Sequence, residues 1–280
     1  MNNFLTLMIS LAVLAANPAF AMEDEIDTVS KGSSRQTPLK PLPPYDWSNN
    51  FHMTITPQAE VGNQVLHTKS TNKPYRNSPE AIEFVNAHLS RTMPLISDAD
   101  VLKYGVEVAS QTNGCFTEMG VGMGRTINFI AALNPTKTIY GFDSFEGLPE
   151  DWDKGDKTFP KGMFAVKEPT YLPPLLNNIR VYKGLFADVL PQFKEHILGD
   201  TPIAFLHMDC DSYTPAKDVF TALGKNIIPG TVIVFDELYN YPNYAQHEWK
   251  ALQEFLENTG YEVDFLAFNA NHEQVVVQIK

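Results

Sequence analysis

Short apolar runs alternate with segments of helical periodicity along the C-terminal two thirds of the chain. The runs predict strands at 115–118, 138–142, 179–182, 203–208, 231–235, 261–268 and 274–279. Helical periodicity predicts helices at 78–90, 98–111, 126–133, 186–194 and 215–223, and another within 244–259. Strands that alternate with helices indicate a parallel sheet with helices on both faces. The last two strands follow each other directly and should pair as neighbours.

We therefore predict an α/β fold, a Rossmann-like, seven-stranded, mostly parallel and doubly wound sheet with an antiparallel C-terminal strand pair. This domain should occupy residues 113–280. Residues 51–112 should form an N-terminal helical or cap segment that leads into it. The stretch 22–50 is rich in Ser, Gly and Pro and has no apolar periodicity, which predicts a flexible linker.

Residues 1–21 have the pattern of a secretory signal peptide. The apolar run Phe4–Ala16 is too short to span a bilayer, and Ala19–Ala21 forms a small-residue cleavage site. Cleavage there predicts an exported protein, periplasmic or secreted, that keeps no stable membrane span. The run is preceded by no Lys or Arg, however, and translation from Met22 would instead give a cytoplasmic protein.

Charge and cysteine content narrow the class of partner and the compartment. The 280-residue chain has a formal net charge of −12, which argues against nucleic acid or an anionic membrane surface as partner. Its two cysteines, Cys115 and Cys210, should lie at opposite ends of parallel strands, too far apart for a disulfide. Free cysteines fit a reducing compartment better, which conflicts with the signal peptide.

An acid and three alternating glycines mark the turn after the first core strand. Glu118 is followed by Gly120, Gly122 and Gly124. Glycine allows a tight turn and a close approach of the backbone to a ligand. A dinucleotide site requires G-x-G-x-x-G, but here the third glycine comes one residue early and Arg125 follows it. An acid before the glycines suits a positively charged ligand, such as a sulfonium with an amino-acid tail, so we expect these four residues to bind the cofactor.

Three further strands each end at an acid: Asp143, Asp209 and Asp236. Ligands of open α/β sheets bind beyond the carboxyl ends of the strands, so these acids should share one edge with the glycine turn. Asp143 lies 25 residues after Glu118, near the spacing at which such sheets place an acid on the ribose hydroxyls. We expect Asp143 and the adjacent Ser144 to bind the cofactor; the alternative is that Asp143 only caps the following turn.

Four acids at two strand ends, Asp209, Asp211, Asp236 and Glu237, suggest a cation site. Carboxylates this close repel one another unless a cation or a proton lies between them, and oxygen ligands suit Mg²⁺ or Ca²⁺. We predict Asp209, Asp236 and Glu237 as metal ligands, with the metal lowering the pKa of a substrate hydroxyl. Asp209 is thus also a candidate catalytic residue. The alternative is that Asp211 and Glu237 are solvated or form turns.

Two histidines and two aromatic residues complete the candidates. His207 lies inside an apolar strand and is expected to be a core residue. His247, at the start of the late helix, is a candidate catalytic general base, although a surface position would explain it equally well. Trp152 and Phe159, in the long loop after the second strand, could cover the adenine or form a lid.

Four stretches together resemble one family: E-M-G-V-G-M-G-R-T-I-N-F-I-A, Y-G-F-D-S-F-E-G-L-P-E-D-W, H-M-D-C-D-S-Y-T-P and F-D-E-L-Y-N-Y-P-N-Y-A-Q-H-E-W-K-A. They are similar to the bacterial class I S-adenosylmethionine (SAM) dependent methyltransferases related to macrocin O-methyltransferase, which act on sugar hydroxyls of macrolides. The resemblance implies SAM as cofactor and Mg²⁺ as metal. It implies SAM contacts at Glu118, Gly120 and Asp143, and metal ligands at Asp209, Asp236 and Glu237. The macrolide enzymes have two aspartates where this chain has Asp236-Glu237, and they lack a secretion signal.

The patterns together predict a SAM-dependent methyltransferase that methylates a hydroxyl on a sugar or another small molecule, with Mg²⁺ assisting. An NAD(P)-dependent oxidoreductase is one alternative, and an exported, non-catalytic binding protein with the same fold is another. A small-molecule hydroxyl acceptor is the expected partner, and a homo-oligomer is compatible with the sequence. Neither the acceptor nor the oligomeric state follows from these patterns.

Overall fold

A computed structural model describes Glu60–Val61, Gln64–Val65 and residues 78–166 and 175–280, all within one compact unit, Pro38–Lys280. The predicted signal peptide (1–21) and linker (22–50) lie outside the described residues, as does most of 51–77. Across the described ranges, every helix is too short or too polar to span a lipid bilayer.

Twelve strands and six α-helices are described. The strands are β1 (Glu60–Val61), β2 (Gln64–Val65), β3 (Met93–Leu95), β4 (Cys115–Met119), β5 (Ile139–Asp143), β6 (Trp152–Asp153), β7 (Thr158–Phe159), β8 (Ile179–Lys183), β9 (Ile203–Met208), β10 (Val232–Phe235), β11 (Val263–Asn269) and β12 (Val275–Ile279). The helices are α1 (Pro79–Phe84), α2 (Asp98–Ala109), α3 (Arg125–Leu133), α4 (Phe186–Phe193), α5 (Tyr213–Leu223) and α6 (Glu248–Thr259). The π-helical turns Val85–Leu89 and Lys194–Leu198 extend α1 and α4, and the 3₁₀ turn Tyr244–Gln246 precedes α6.

Eight strands form the central sheet in the order β3-β11-β12-β10-β9-β4-β5-β8. All neighbours pair in parallel except β12, which runs antiparallel to both β10 and β11. The carboxyl ends of β4, β5, β9 and β10 therefore meet at one edge of the sheet. This confirms the predicted doubly wound fold and its antiparallel C-terminal pair.

One strand of the central sheet was not predicted. β3 contains three residues, Met93–Leu95, and pairs in parallel with β11 at the edge of the sheet. A run this short has no recognisable alternation, and its central Pro94 argues against a strand except at an edge. The sheet therefore has eight strands rather than the predicted seven.

Helices cover both faces of the sheet and bury two apolar layers. α2 and α3 pack on one face through side chains such as Val101 and Ile127, and α4, α5 and α6 pack on the other. The first helix begins as predicted, because Ser78 caps it by accepting the Ala81 N–H at 3.1 Å. In this helix Ile82 is 46% exposed, whereas Phe84 is buried.

Both cysteines are free, as predicted. Cys115 lies opposite Ile203 in the parallel pair of β4 and β9, whereas Cys210 follows the end of β9. The two thiols therefore belong to opposite ends of adjacent strands.

Candidate active site

The glycine turn links β4 to α3 and lies against the end of β9. Gly120 donates its N–H to the backbone oxygen of Phe142 on β5 at 2.9 Å. Its φ of +96° is a backbone conformation that residues with a Cβ rarely adopt. A Cβ at Gly120 would overlap the backbone oxygen of Asp209. Gly124, with φ of +78°, begins α3 as its N-cap. The glycines thus let the turn pack directly on the β9 end.

The carboxylate of Asp143 holds this turn in place. Its Oδ2 accepts the N–H groups of Val121 at 2.8 Å and Gly122 at 2.7 Å, and its Oδ1 accepts the N–H of Phe145 at 2.6 Å. A carboxylate has about four acceptor positions, so roughly one remains for a ribose hydroxyl. Asp143 therefore caps its own turn, as the predicted alternative has it, and shapes the glycine turn as well, while its contact with a ribose stays a prediction.

One cavity of about 510 Å³ lies at this edge of the sheet. Its lining includes Gly120, Gly122, Asp143 and Ser144 of the predicted cofactor site, together with Asp209 and Asp236. Three exposed apolar side chains, Met123, Phe164 and Leu185, also line it. Phe164 has φ of +68°, in a region that few non-glycine residues adopt. The structure thus brings most of the predicted cofactor residues and three of the four acids of the predicted cation site, Asp209, Asp211 and Asp236, around one space.

Glu118 does not face that space. Its side chain is fully buried; Oε1 accepts the hydroxyl of Thr126 on α3 and lies 3.3 Å from Nδ1 of His207. Glu118 precedes the last residue of β4, so its carboxylate lies between sheet and helix rather than beyond the strand end. Glu118 is not among the residues that line the cavity, and its expected contact with the cofactor stays a prediction.

His207 links two acids across the core. Its Nε2 lies 3.9 Å from Oδ1 of Asp236, opposite the side that faces Glu118. Burial by itself lowers the pKa of His207, but the contacts with Asp236 and Glu118 raise it to about 10. In Asp236, burial raises the pKa, but the His207 cation lowers it below the ordinary value. His207 is a core residue, as predicted, and its contacts with the two acids favour the protonated ring and the ionised form of Asp236.

Asp209, Asp211 and Glu237 form an acidic group next to these residues. One carboxylate oxygen from each lies within 4.8 Å of the others. Burial and then Asp236 raise the pKa of all three acids, that of Asp211 to about 7. Oε2 of Glu237 is buried and accepts no hydrogen bond from any described residue. Three crowded oxygen ligands with an unpartnered buried oxygen fit a hard divalent cation.

The predicted ligand set differs from this group in one member. Asp236 was predicted with Asp209 and Glu237, whereas the structure groups Asp211 with them. Oδ1 of Asp236 accepts the side-chain amide of Gln274 at 3.0 Å and faces His207. Asp211 has φ of +64°, which aspartate tolerates better than most residues. The predicted metal ligands remain a prediction, with Asp211 as a further candidate.

Glu248, the first residue of α6, joins the two acidic loops. Its side chain is fully buried. Oε1 accepts the N–H of Cys210 at 3.1 Å, and Oε2 accepts the N–H of Glu237 at 3.3 Å. Burial raises the pKa of Glu248 to about 8. This role was not predictable from the sequence, because acids are common in the first turn of a helix, where the helix dipole alone favours them.

The guanidinium of Arg125 is a cation at the border of the cavity. It donates to Oδ2 of Asp98, at the start of α2, at 2.6 Å. Burial lowers its pKa, but Asp98 and the more distant Asp236 and Asp209 raise it overall. Asp98 was not predicted as part of the site, since it lies 27 residues before its partner and no local pattern links them.

The hairpin of β6 and β7 packs beside the site rather than over it. Trp152 is buried, stacks on Phe159 at 5.1 Å and contacts the rings of Tyr241 and His247. Neither Trp152 nor Phe159 lines the cavity described above, so they are not placed as the predicted adenine cover. Lys154 on the hairpin, also missed, forms an ion pair with Glu273 at 2.6 Å.

His247 belongs to the same packing. Its Nε2 donates to the backbone oxygen of Asp153 at 2.8 Å, and burial lowers its pKa. It is 9% exposed and does not line the cavity. The geometry therefore gives no support to its predicted role as a general base.

Residues 117–238 match a family described as a methyltransferase domain. No curated protein matches the chain. A solved structure of CalS11, described as a calicheamicin methyltransferase, is 24% identical over 73% of this chain and 88% of that chain, with a TM-score of 0.53. The O-methyltransferase NovP is 21% identical over 64% of this chain and 78% of its own, with a TM-score of 0.45. An O-methyltransferase from Bacillus cereus is 17% identical, over 71% of this chain and 88% of its own, with a TM-score of 0.41.

The match with CalS11 supports the fold, and the family match is a similarity of residues 117–238 to a methyltransferase domain, in line with the resemblance stated from the motifs. The family match covers the glycine turn and the ends of β5, β9 and β10, which are the elements that form the cavity.

Proposed function

We infer that this chain, whose residues 117–238 form a methyltransferase domain, transfers the methyl group of SAM to a hydroxyl group of a small molecule. The observation that carries this proposal is the cavity at the carboxyl ends of the parallel strands. It combines a glycine turn shaped by Asp143 with acids from two further strand ends, Asp209 and Asp236. Cofactor and acceptor can therefore lie side by side over one edge of the sheet.

The reaction is a single in-line displacement. The acceptor oxygen forms a bond to the methyl carbon while the carbon–sulfur bond breaks, which leaves S-adenosylhomocysteine (SAH) and releases the hydroxyl proton. The protein then has to position two ligands and exclude water. In this proposal Gly120, Gly122, Asp143 and Ser144 hold the cofactor, and Asp209 orients the acceptor hydroxyl and accepts its hydrogen bond.

A divalent cation fits the acids beside the acceptor position. Asp209, Asp211 and Glu237 offer oxygen ligands, and the buried Oε2 of Glu237 lacks a hydrogen-bond partner among the described residues. Mg²⁺ bound there would lower the pKa of the acceptor hydroxyl. Asp236, held ionised by His207, would add negative charge next to this group.

The class of acceptor is the finer part of the proposal. CalS11, in a second structure, is described as a TDP-rhamnose 3'-O-methyltransferase, with 21% identity over 73% of this chain and 89% of that chain and a TM-score of 0.47. We propose a hydroxyl on a sugar or a similar small molecule, on the basis of the sequence resemblance. Export through the N-terminal leader is likewise proposed from the sequence alone.

Calorimetry and a transfer assay test the proposal. The purified protein should bind SAH and should transfer a labelled methyl group from SAM to a member of a panel of hydroxylated sugars and glycosides. Asp209→Asn should abolish transfer and retain SAH binding, whereas Asp200→Asn, at an exposed position, should change neither. A protein that binds neither SAM nor SAH would refute the proposal. Thermal stabilisation by NAD(P) instead would favour the oxidoreductase alternative.

A further inference from the structure

We propose that Glu248 is a positioning residue that fixes the two acidic loops of the candidate site relative to each other. The inference rests on the proposed methyl transfer, because it assigns a role in that reaction. Glu248 reaches one loop after β9, at Cys210, and another after β10, at Glu237. It lines no part of the cavity, so it acts through these loops rather than on a substrate.

The two contacts lie where regular strand pairing ends. Beyond the bond from the Asp236 N–H to Met208, at 2.9 Å, β9 and β10 diverge into loops. Cys210 stands between Asp209 and Asp211, and Glu237 is the third acid of the group. A single buried side chain thus holds peptide groups next to all three carboxylates, which crowd within 4.8 Å of one another and repel.

The chemistry of the contacts requires a carboxylate. Two backbone N–H groups converge on Glu248, one on each of its oxygens, and both oxygens of a carboxyl group can accept a hydrogen bond. Glutamine has nearly the same shape, but its amide nitrogen would face one of the two N–H groups. Glu248→Gln should therefore release one loop without opening a void in the core.

Amide hydrogen exchange, measured together with SAH binding and turnover, tests the proposal on the full chain. In Glu248→Gln, exchange at Cys210 or Glu237 should rise about tenfold, the effect expected for losing one hydrogen bond. Exchange in the glycine turn should stay unchanged, and the Kd for SAH should stay within about threefold of the wild-type value. The value of kcat should fall about tenfold or more. Glu257→Gln, at an exposed position of the same helix, is the matched control and should change none of these.

A second variant covers the case in which Glu248→Gln does not fold. Glu248→Asp keeps the charge but is one methylene shorter, so it can reach one loop only and should give the same pattern. Unchanged exchange in both loops, or raised exchange with unchanged kcat, would overturn the proposal. Equal loss of SAH binding and of protection in the glycine turn would also overturn it, because Glu248 would then support the whole domain. Raised exchange in a protein whose wild type transfers no methyl group would refute the proposed function and leave the link between the loops established.

Discussion

Replacing Gly120 with alanine should destabilise the protein even without a ligand. The added Cβ would overlap the backbone oxygen of Asp209 and lie 3.1 Å from its carbonyl carbon. Neither the glycine turn nor the β9 end can move freely, because both are held by backbone hydrogen bonds of 2.9 Å. The Gly120 N–H donates to the Phe142 oxygen, and the Asp209 N–H donates to the Met119 oxygen. Strain at φ of +96° costs about 1–3 kcal/mol, and forcing an atom into packed structure costs about as much again. Together this is roughly 4 kcal/mol, or on the order of 10 °C in Tm for a domain of this size.

Gly122 provides the matched control in the same turn. It also has a positive φ, +49°, but a Cβ there would meet no atom within 4 Å. Gly122→Ala should therefore lower the free energy of unfolding only by the cost of the left-handed backbone, about 1–2 kcal/mol, and should lower Tm by a few degrees. Calorimetry or circular dichroism on the two ligand-free variants measures the difference. Equal losses of Tm would refute the argument that the turn depends on close approach to the β9 end.

Two further outcomes follow from the charges at the site. Asp143→Asn should weaken SAH binding about tenfold or more in calorimetry, since its amide would oppose the N–H groups of Val121 or Gly122; unchanged affinity would contradict this. Burial raises the pKa of Asp211 to about 7 and of Glu248 to about 8, so the folded protein holds protons that the unfolded chain releases near pH 4. Stability should then fall as pH rises from about 4 to 8, and Mg²⁺ should raise Tm more at pH 8.5 than at pH 5.5, because protons compete with the cation. If Mg²⁺ raised Tm more at pH 5.5 than at pH 8.5, the expected competition between protons and the cation would be contradicted.

Most of the fold was predictable because its signals are local. β9 matches its predicted bounds, Ile203–Met208, since an unbroken apolar run is typical of a strand buried on both faces. β3 was not predictable, because three residues with a central proline carry no periodicity and pair only through contacts with β11. In α1 Ile82 is exposed and Phe84 is buried, which was not predictable either, because a periodic pattern does not decide which side of a short helix meets the rest of the domain.

Part of the site was also predictable from the sequence. Asp143, Asp209 and Asp236 meet at the cavity because strand ends of a parallel sheet share an edge, a rule that needs only the element order. Glu118 was expected at the end of its strand, but β4 continues to Met119, and one residue of strand length decides whether a side chain lies within the core or beyond it. The role of Glu248 depends on how α6 is placed against two distant loops, which no spacing along the chain encodes.

The ion pair between Asp98 and Arg125 sets a limit on how short a working version of this protein can be. The family match starts at residue 117 and the predicted domain at residue 113, yet the partner of Arg125 stands on α2, well before both. A chain trimmed to either boundary would keep every glycine and acid of the cavity and lose the anchor of its bordering cation, along with a helix that covers one face of the sheet. The smallest unit worth purifying thus starts no later than Ser97, whose hydroxyl caps α2.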